Sequence, residues 1–296
     1  MSDLDVCVIG SANLDLVARA TRLPRPGETV LGTDFFEAAG GKGLNQAVAS
    51  ARTGARTAFV GMLGEDSAGA QLRGVLATDC IVADGVGTSP GVPTGRALIG
   101  VGDDGENSII VIPGANAQLS AREITLHGPL ISRASVVLAQ LEVPIPAVIA
   151  AFEVGRAVGA TTILNPAPAQ PLPSELLGVT DILIPNEHEA AILGGATALR
   201  MRMAGTVVVT QGEQGALMVT AGGEVRIPTI AVDPVDTTGA GDTFCGALAA
   251  RIAQGADFVA ALRYACAAGA LATTRAGAVP AIPHRAEVDR RLSAAD

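Results

Sequence analysis

The run Val235-Asp236-Thr237-Thr238-Gly239-Ala240-Gly241-Asp242-Thr243-Phe244 brings two glycines, three hydroxyl side chains and two carboxylates into ten residues. The small residues that follow, Cys245 to Ala250, read as a helix. The amides of Ala240, Gly241 and Asp242 are then expected to point out of a helix N-terminus, where unsatisfied N–H groups and the helix dipole favour an anion. Asp242 sits in the same turn. A carboxylate beside a bound phosphate is repelled by it, unless its task is to accept the proton of a hydroxyl attacking that phosphate. Asp is also a common first-turn residue for purely structural reasons, but Gly-x-Gly-Asp after Asp-Thr-Thr is more than a cap requires. Asp242 is therefore the candidate base, with Gly239, Ala240 and Gly241 supplying the turn and its amides.

A second constellation is marked by composition. Of 20 basic residues only Lys42 is a lysine, and it lies in Ala39-Gly40-Gly41-Lys42-Gly43-Leu44-Asn45-Gln46. A chain that otherwise uses Arg has placed its one compact ammonium between glycines, which let a ligand approach the backbone.

These two segments need elements to hold them. Strand-like runs at Val6–Ile9, 58–60, 136–138, 162–164, 182–184 and 207–209 alternate with helix-like runs near 44–53, 68–77, 146–158 and 258–273. This alternation predicts an α/β fold with a mostly parallel, doubly covered sheet and a site at the C-terminal strand ends. Residues from about 14 to 38 and from 95 to 112, the latter with a turn at Asp103-Asp104-Gly105, break the pattern and read as a small β lid. With 296 residues and no long linker, a single domain, 1–296, carrying this inserted lid is expected.

Composition excludes several classes. The net charge of −9 argues against nucleic acid and anionic membrane as partners. Aromatics are 2% of the chain, which leaves few platforms for stacking bases. The four cysteines, Cys7, Cys80, Cys245 and Cys266, have neither zinc nor redox spacing and read as buried thiols. The acidic start, with no basic segment and long apolar run behind it, points to a cytoplasmic protein. Gly10-Ser11-Ala12-Asn13 lacks the glycine fingerprint of a dinucleotide-binding dehydrogenase.

Taken together the motifs resemble the ribokinase-like, or PfkB, family of sugar kinases. The resemblance rests on the two glycine-rich regions, 40–54 and 233–250, and on Gly10-Ser11-Ala12-Asn13-Leu14-Asp15, Pro26-Gly27-Glu28-Thr29, Gly114-Ala115-Asn116, Gln140-Leu141-Glu142, Asn165-Pro166-Ala167-Pro168 and Pro185-Asn186-Glu187-His188-Glu189. It covers almost the whole chain. It implies a three-layer α/β/α fold with a β-sheet lid, a homodimer formed through that lid, and transfer of phosphate from ATP to a small sugar. D-Ribose, phosphorylated at O5, is the expected acceptor. Another sugar or nucleoside, such as deoxyribose, fructose, a keto-deoxy sugar acid or adenosine, is the near alternative, and a non-catalytic sugar-binding regulator on the same fold is a more distant one.

The same resemblance assigns roles. Asn13, Asp15, Gly41, Lys42, Asn45, Glu142 and Asp242 would hold the sugar. Asn186, Thr210, Gly212, Gly215, Gly241 and Cys266 would lie along the nucleotide, Cys266 standing where some relatives have a His beside adenine. Glu189, with Asn186, would organise Mg²⁺ indirectly through its waters. Asp236 and the main-chain carbonyls of Thr238, Ala272, Arg275, Gly277 and Ala281 would enclose a monovalent cation, K⁺. The plainer reading of Asp236 is an Asx turn, and that of His188 a surface or capping histidine. The segment from Asn186 to Thr210 is shorter than in known relatives by about one helix.

Overall fold

The computed structural model describes residues 3–294. Thirteen strands form two sheets. They are β1 (Leu4–Ile9), β2 (Asn13–Ala20), β3 (Gly32–Gly40), β4 (Thr57–Gly64), β5 (Val82–Ser89), β6 (Gly95–Gly102), β7 (Asn107–Ile112), β8 (Ala134–Gln140), β9 (Thr161–Asn165), β10 (Ile182–Leu183), β11 (Thr206–Thr210), β12 (Ala216–Thr220) and β13 (Gly223–Ile227). The larger sheet runs β13-β12-β11-β10-β9-β8-β1-β4-β5. Seven neighbouring strands, from β11 to β5, are mutually parallel, and the β12–β13 hairpin adds an antiparallel edge.

The central strands of this sheet are buried on both faces, and their alternation sorts side chains into two cores. On β1, Val6 and Val8 face one core, and Leu4, Cys7 and Ile9 face the other. The first core is closed by helices Lys42–Arg52, Ser67–Thr78, Ala240–Ala253, Phe258–Ala272 and Arg285–Ser293, the second chiefly by Ile145–Ala157 and shorter helices between residues 121 and 202. This is the three-layer α/β/α arrangement with a mostly parallel centre. Alanine dominates the first core, so its helices can lie close together.

The smaller sheet is ordered β3-β2-β6-β7, with β2 and β6 parallel and the outer pairs antiparallel. The turn expected at Asp103-Asp104-Gly105 closes β6 onto β7 with Gly105 at φ 83°. One face of this sheet carries Phe35, Leu98 and Ile110, all exposed, and Ile109 is exposed on the other. The segment 186–210 is short but not empty of structure, holding helices Glu187–Ile192 and Ala196–Arg202.

One expectation fails. Cys7, Cys245 and Cys266 are buried, but Cys80 is exposed. It follows the Ser67–Thr78 helix with φ 54°, in the left-handed conformation usual just past a helix end, where the chain turns back at the surface.

Candidate active site

The turn before helix Ala240–Ala253 folds as its glycines require. Gly239 caps the helix in the left-handed region, φ 74°, which a side chain would disfavour. The Thr243 amide closes on the Gly239 carbonyl at 2.8 Å. The Ala240 amide bonds back to the Thr237 carbonyl at 3.3 Å, so it is not one of the amides facing outward, as the sequence suggested. Those of Gly241 and Asp242 remain without an intrachain partner among the described residues, and both residues line a cavity of about 210 Å³.

Asp242 is buried, with 7% exposure, and each carboxylate oxygen has a donor. Asn45 Nδ2 donates to Oδ2 at 3.0 Å, and Gln46 Nε2 to Oδ1 at 3.1 Å. Both come from helix Lys42–Arg52, which crosses the Asp242 helix at close range because Gly246 lacks a side chain. A Cβ there would lie 2.4 Å from the Gln46 carbonyl oxygen. Ser50 Oγ donates to the Gly246 carbonyl at 3.0 Å. Gln46 and Ser50 thus meet Asp242 and Gly246, each pair one helical turn apart.

Lys42 begins its helix on the same face as Asn45 and Gln46 and lines the cavity with Asp242 and Glu189. Asp242 is the main cause of an ammonium pKa held above its ordinary value; burial opposes it, and Glu142 and Glu189 assist. Glu142 lies two residues past the end of β8 and accepts from Ser11 Oγ at 2.5 Å and from the Lys42 amide at 3.0 Å. Asp15, on β2, is pushed up to about 7 by burial and by the charge of Glu142. Asn13 Oδ1 accepts from Asn116 Nδ2 at 2.7 Å, and Asn116 Oδ1 accepts from the Ala12 amide at 3.0 Å. Of the residues expected at the sugar, Lys42 is thus bonded to Glu142 and Asn45 to Asp242, while Asn13 is bonded to Asn116. Neither Asp15 nor Asn45 is a cap: Asp15 lies within β2, and the helix cap is Gly41.

Behind the Gly-rich turn lies a larger cavity of about 750 Å³, lined by Thr210, Gly212, Gly215, Gly241, Phe244 and Cys266 among others. Five of the six residues expected along the nucleotide line it. The sixth, Asn186, lines the smaller cavity instead. The two cavities share Thr210, Thr237 and Gly241 as a common wall. Burial raises the Cys266 thiol to about 12, so it meets this space as a neutral, weakly polar group.

Asn186 and Glu189 form a reciprocal capping box. The Glu189 amide donates to Asn186 Oδ1 at 2.7 Å, and the Asn186 amide to Glu189 Oε2 at 2.9 Å. Burial raises Glu189 above its usual range, against the pull of the Asn186 amide and Lys42. His188 between them is exposed. Among the described residues no cluster of three or more His, Cys, Asp or Glu could cage a metal. A divalent ion here would be carried mostly by phosphate oxygens and water, which suits Mg²⁺.

Asp236 makes the Asx turn: Oδ1 accepts from the Thr238 amide at 2.9 Å. Its Oδ2 accepts from the Gly277 amide at 2.8 Å, joining the loop before the Asp242 helix to the loop after Ala272. Burial raises this carboxyl, but the hydrogen bonds from Thr238 and Gly277 outweigh it and hold it below its usual value. Arg275 is paired with Glu287, and Ala281 is buried in the short turn Val279–Ala281.

Sequence reasoning gave no role to Ser11, Gln46, Asn116 or Asn165. A signal existed for Gln46: positions 42, 45 and 46 share one helical face. Asn165 ends β9, accepts from Gln46 Nε2 at 3.2 Å and donates to the Ile184 carbonyl at 2.8 Å.

A carboxylate held on both oxygens at a helix N-terminus, lining a small cavity that shares a wall with a larger one, is suited to moving a phosphoryl group from one small molecule to another. Residues 3–285 match the pfkB family of carbohydrate kinases. Ribokinase from Bacillus subtilis (strain 168) is 40% identical over 292 residues, covering 98% of this chain and 99% of that one. Ribokinase from Thermotoga maritima has a similar structure, with a TM-score of 0.90, 34% identity and coverage of 98% and 99%. Arabidopsis thaliana ribokinase complexed with ribose and ATP gives 0.90 and 33%, with 98% of each chain covered. The chain belongs to the pfkB family of carbohydrate kinases.

Proposed function

We propose that this kinase transfers the terminal phosphate of ATP to D-ribose at O5, giving D-ribose 5-phosphate and ADP. The observation that carries the reading is Asp242: a buried carboxylate held on both oxygens, in the turn whose remaining free amides face the cavity. The acceptor rests on the ribokinases to which the chain is similar along its whole length.

Asp242 takes the proton of the attacking hydroxyl. Lys42 places positive charge beside the transferring group, and the Gly241 and Asp242 amides stabilise its developing negative charge. Asn13, Asp15, Asn45 and Glu142 orient the sugar hydroxyls, and the larger cavity takes the nucleoside of ATP. One ammonium facing Asp242 and Glu189 leaves an incoming triphosphate short of positive charge. Mg²⁺ supplies that charge when bound, with Asn186 and Glu189 holding its waters. Asp236 and the carbonyls of Thr238, Ala272, Arg275, Gly277 and Ala281 would hold K⁺ and tune the field at the turn.

The smaller sheet acts as a lid over the sugar, and its apolar outer surface pairs with the same surface of a second copy. Among the described residues no helix is long and apolar enough to cross a membrane, and a kinase drawing on ATP works in the cytoplasm.

The test is ADP release measured with Mg²⁺ over ribose, deoxyribose, fructose, a keto-deoxy sugar acid and adenosine, in K⁺ and in Na⁺ at equal ionic strength. Ribose should give the highest kcat/KM, and K⁺ the higher rate. Another acceptor preferred tenfold would displace ribose, equal rates in the two salts would remove the K⁺ role, and sugar binding without ADP release would favour a regulator.

A further inference from the structure

We infer that Gln46, locked by Asn165, is the positioning residue that aims the Asp242 carboxylate. The inference rests on the assignment of Asp242 as base and goes beyond it by separating the group that takes the proton from the group that fixes its direction.

Three observations converge. Gln46 is wholly buried, and its one amide nitrogen is shared between Asp242 Oδ1 at 3.1 Å and Asn165 Oδ1 at 3.2 Å. Asn165 is locked in turn, its own amide nitrogen donating to the Ile184 carbonyl at 2.8 Å. The chain of bonds Asp242, Gln46, Asn165, Ile184 therefore fixes the carboxylate to the ends of β9 and β10 rather than to its own helix alone. The second holder, Asn45, faces the other oxygen and is itself expected to meet the sugar. Its amide has to serve two clients, whereas Gln46 has none beyond Asp242 and Asn165 among the described residues.

The amide orientation follows from this network. Turning the Gln46 amide over would place its oxygen against two acceptor oxygens, so both donor bonds force the nitrogen inward. The cost is visible: Gln46 Oε1 is buried with no hydrogen-bond partner. A buried side chain that leaves its oxygen unpaired in order to aim its nitrogen at a carboxylate is more than packing requires. Because a carboxylate off its line of approach by a fraction of an ångström takes the proton less well, losing this holder should lower turnover and leave binding nearly alone.

The experiment uses Gln46→Met, close in volume and without a donor, and Gln46→Glu, which donates only when protonated. For Gln46→Met we expect kcat to fall roughly 10- to 100-fold with the KM values for sugar and ATP within about threefold of wild type. In Gln46→Glu the activity relative to wild type should rise as pH falls from 8.5 to 6, since protonation restores a donor and removes a like charge. A purely structural defect would leave that ratio flat. The double variant with Asp242→Asn should be no slower than Asp242→Asn alone. If Gln46→Met does not fold, Asn165→Ala, which unlocks the glutamine without touching Asp242, should lower kcat several-fold at unchanged KM. The inference is overturned by kcat within twofold of wild type in Gln46→Met, by parallel changes in kcat and KM, by a flat pH ratio, by multiplicative loss in the double variant or, in the fallback, by Asn165→Ala matching wild type. An active Asp242→Asn enzyme would instead strike at the base itself, whatever Gln46 does.

Discussion

Asp242→Asn separates chemistry from structure, because the surroundings of this residue can absorb the change. The carboxylate accepts from Asn45 Nδ2 and Gln46 Nε2. An introduced amide keeps one acceptor oxygen and turns an NH₂ toward the other donor. Gln46 cannot turn over without losing Asn165, but Asn45 Oδ1 is buried without a partner, and a half-turn of that amide presents it to the new donor. Two charge-assisted bonds thus become two neutral ones, a net cost of about 1 kcal/mol or less. For a chain of this size, that corresponds to a melting shift of about 2–4 °C. Turnover should fall by at least ~100-fold, about 2.7 kcal/mol in the barrier, because the proposed proton acceptor is gone. The assay pairs steady-state ADP release with thermal unfolding and sugar calorimetry on one preparation. Near wild-type turnover would refute the base, and a melting loss beyond about 10 °C would refute the account of how the amides rearrange.

Further outcomes follow from the same network. Asp15, raised from 3.8 to about 7, keeps in the native state a proton that the unfolded chain releases, so its ionisation costs stability progressively from about pH 4 to 7, at most about 4 kcal/mol. Asp15→Asn should therefore gain in melting temperature over wild type as pH rises from 5 to 8, and a constant difference would contradict the burial, aided by the charge of Glu142, that raises this carboxyl. Lys42→Arg should lower kcat or raise KM at least several-fold, because a planar fork cannot replace a compact ammonium; unchanged constants would return Lys42 to coincidence. Cys266→Ala should alter the KM for ATP about two- to threefold and spare that for sugar, and a large loss of turnover would misplace the residue. Gly246→Ala should cost about 1–3 kcal/mol in denaturant unfolding and lower kcat as well, since the new Cβ pushes on the Gln46 backbone; wild-type behaviour would mean that the two helices are looser than described.

The sheet was legible where strands are wholly apolar. The runs at 6–9, 58–60, 136–138, 162–164 and 207–209 all fall within strands of the larger sheet, because a parallel strand covered on both faces is mostly apolar. β5 and β13 escaped notice for the opposite reason. β5 reads Val-Ala-Asp-Gly-Val-Gly-Thr-Ser, and β13 is an exposed edge with Glu224 and Arg226. At the candidate site, motif order singled out Asp242, Lys42 and the glycines Gly212, Gly215 and Gly241, which line the two cavities. The engagement of the Ala240 amide was not readable, since it depends on how one turn closes; for Gln46 the helical face shared with Lys42 and Asn45 was readable, but not its partner 196 positions away. Cys80 misled because cysteine is usually interior, and only the left-handed exit of its helix brings it out.

The crossing of helices Lys42–Arg52 and Ala240–Ala253 divides the acceptor side of the pocket into parts with different freedom to change. Lys42, Asn45 and Gln46 ride on the helix that also holds the Asp242 carboxylate, the proposed proton acceptor, so redesign there should retune the reaction along with the choice of sugar. Asn13 and Asp15 stand on β2, and Glu142 two residues past the end of β8. Divergence toward new acceptors, in nature or in the laboratory, should therefore collect on the strand side, while the helix side drifts little without loss of rate.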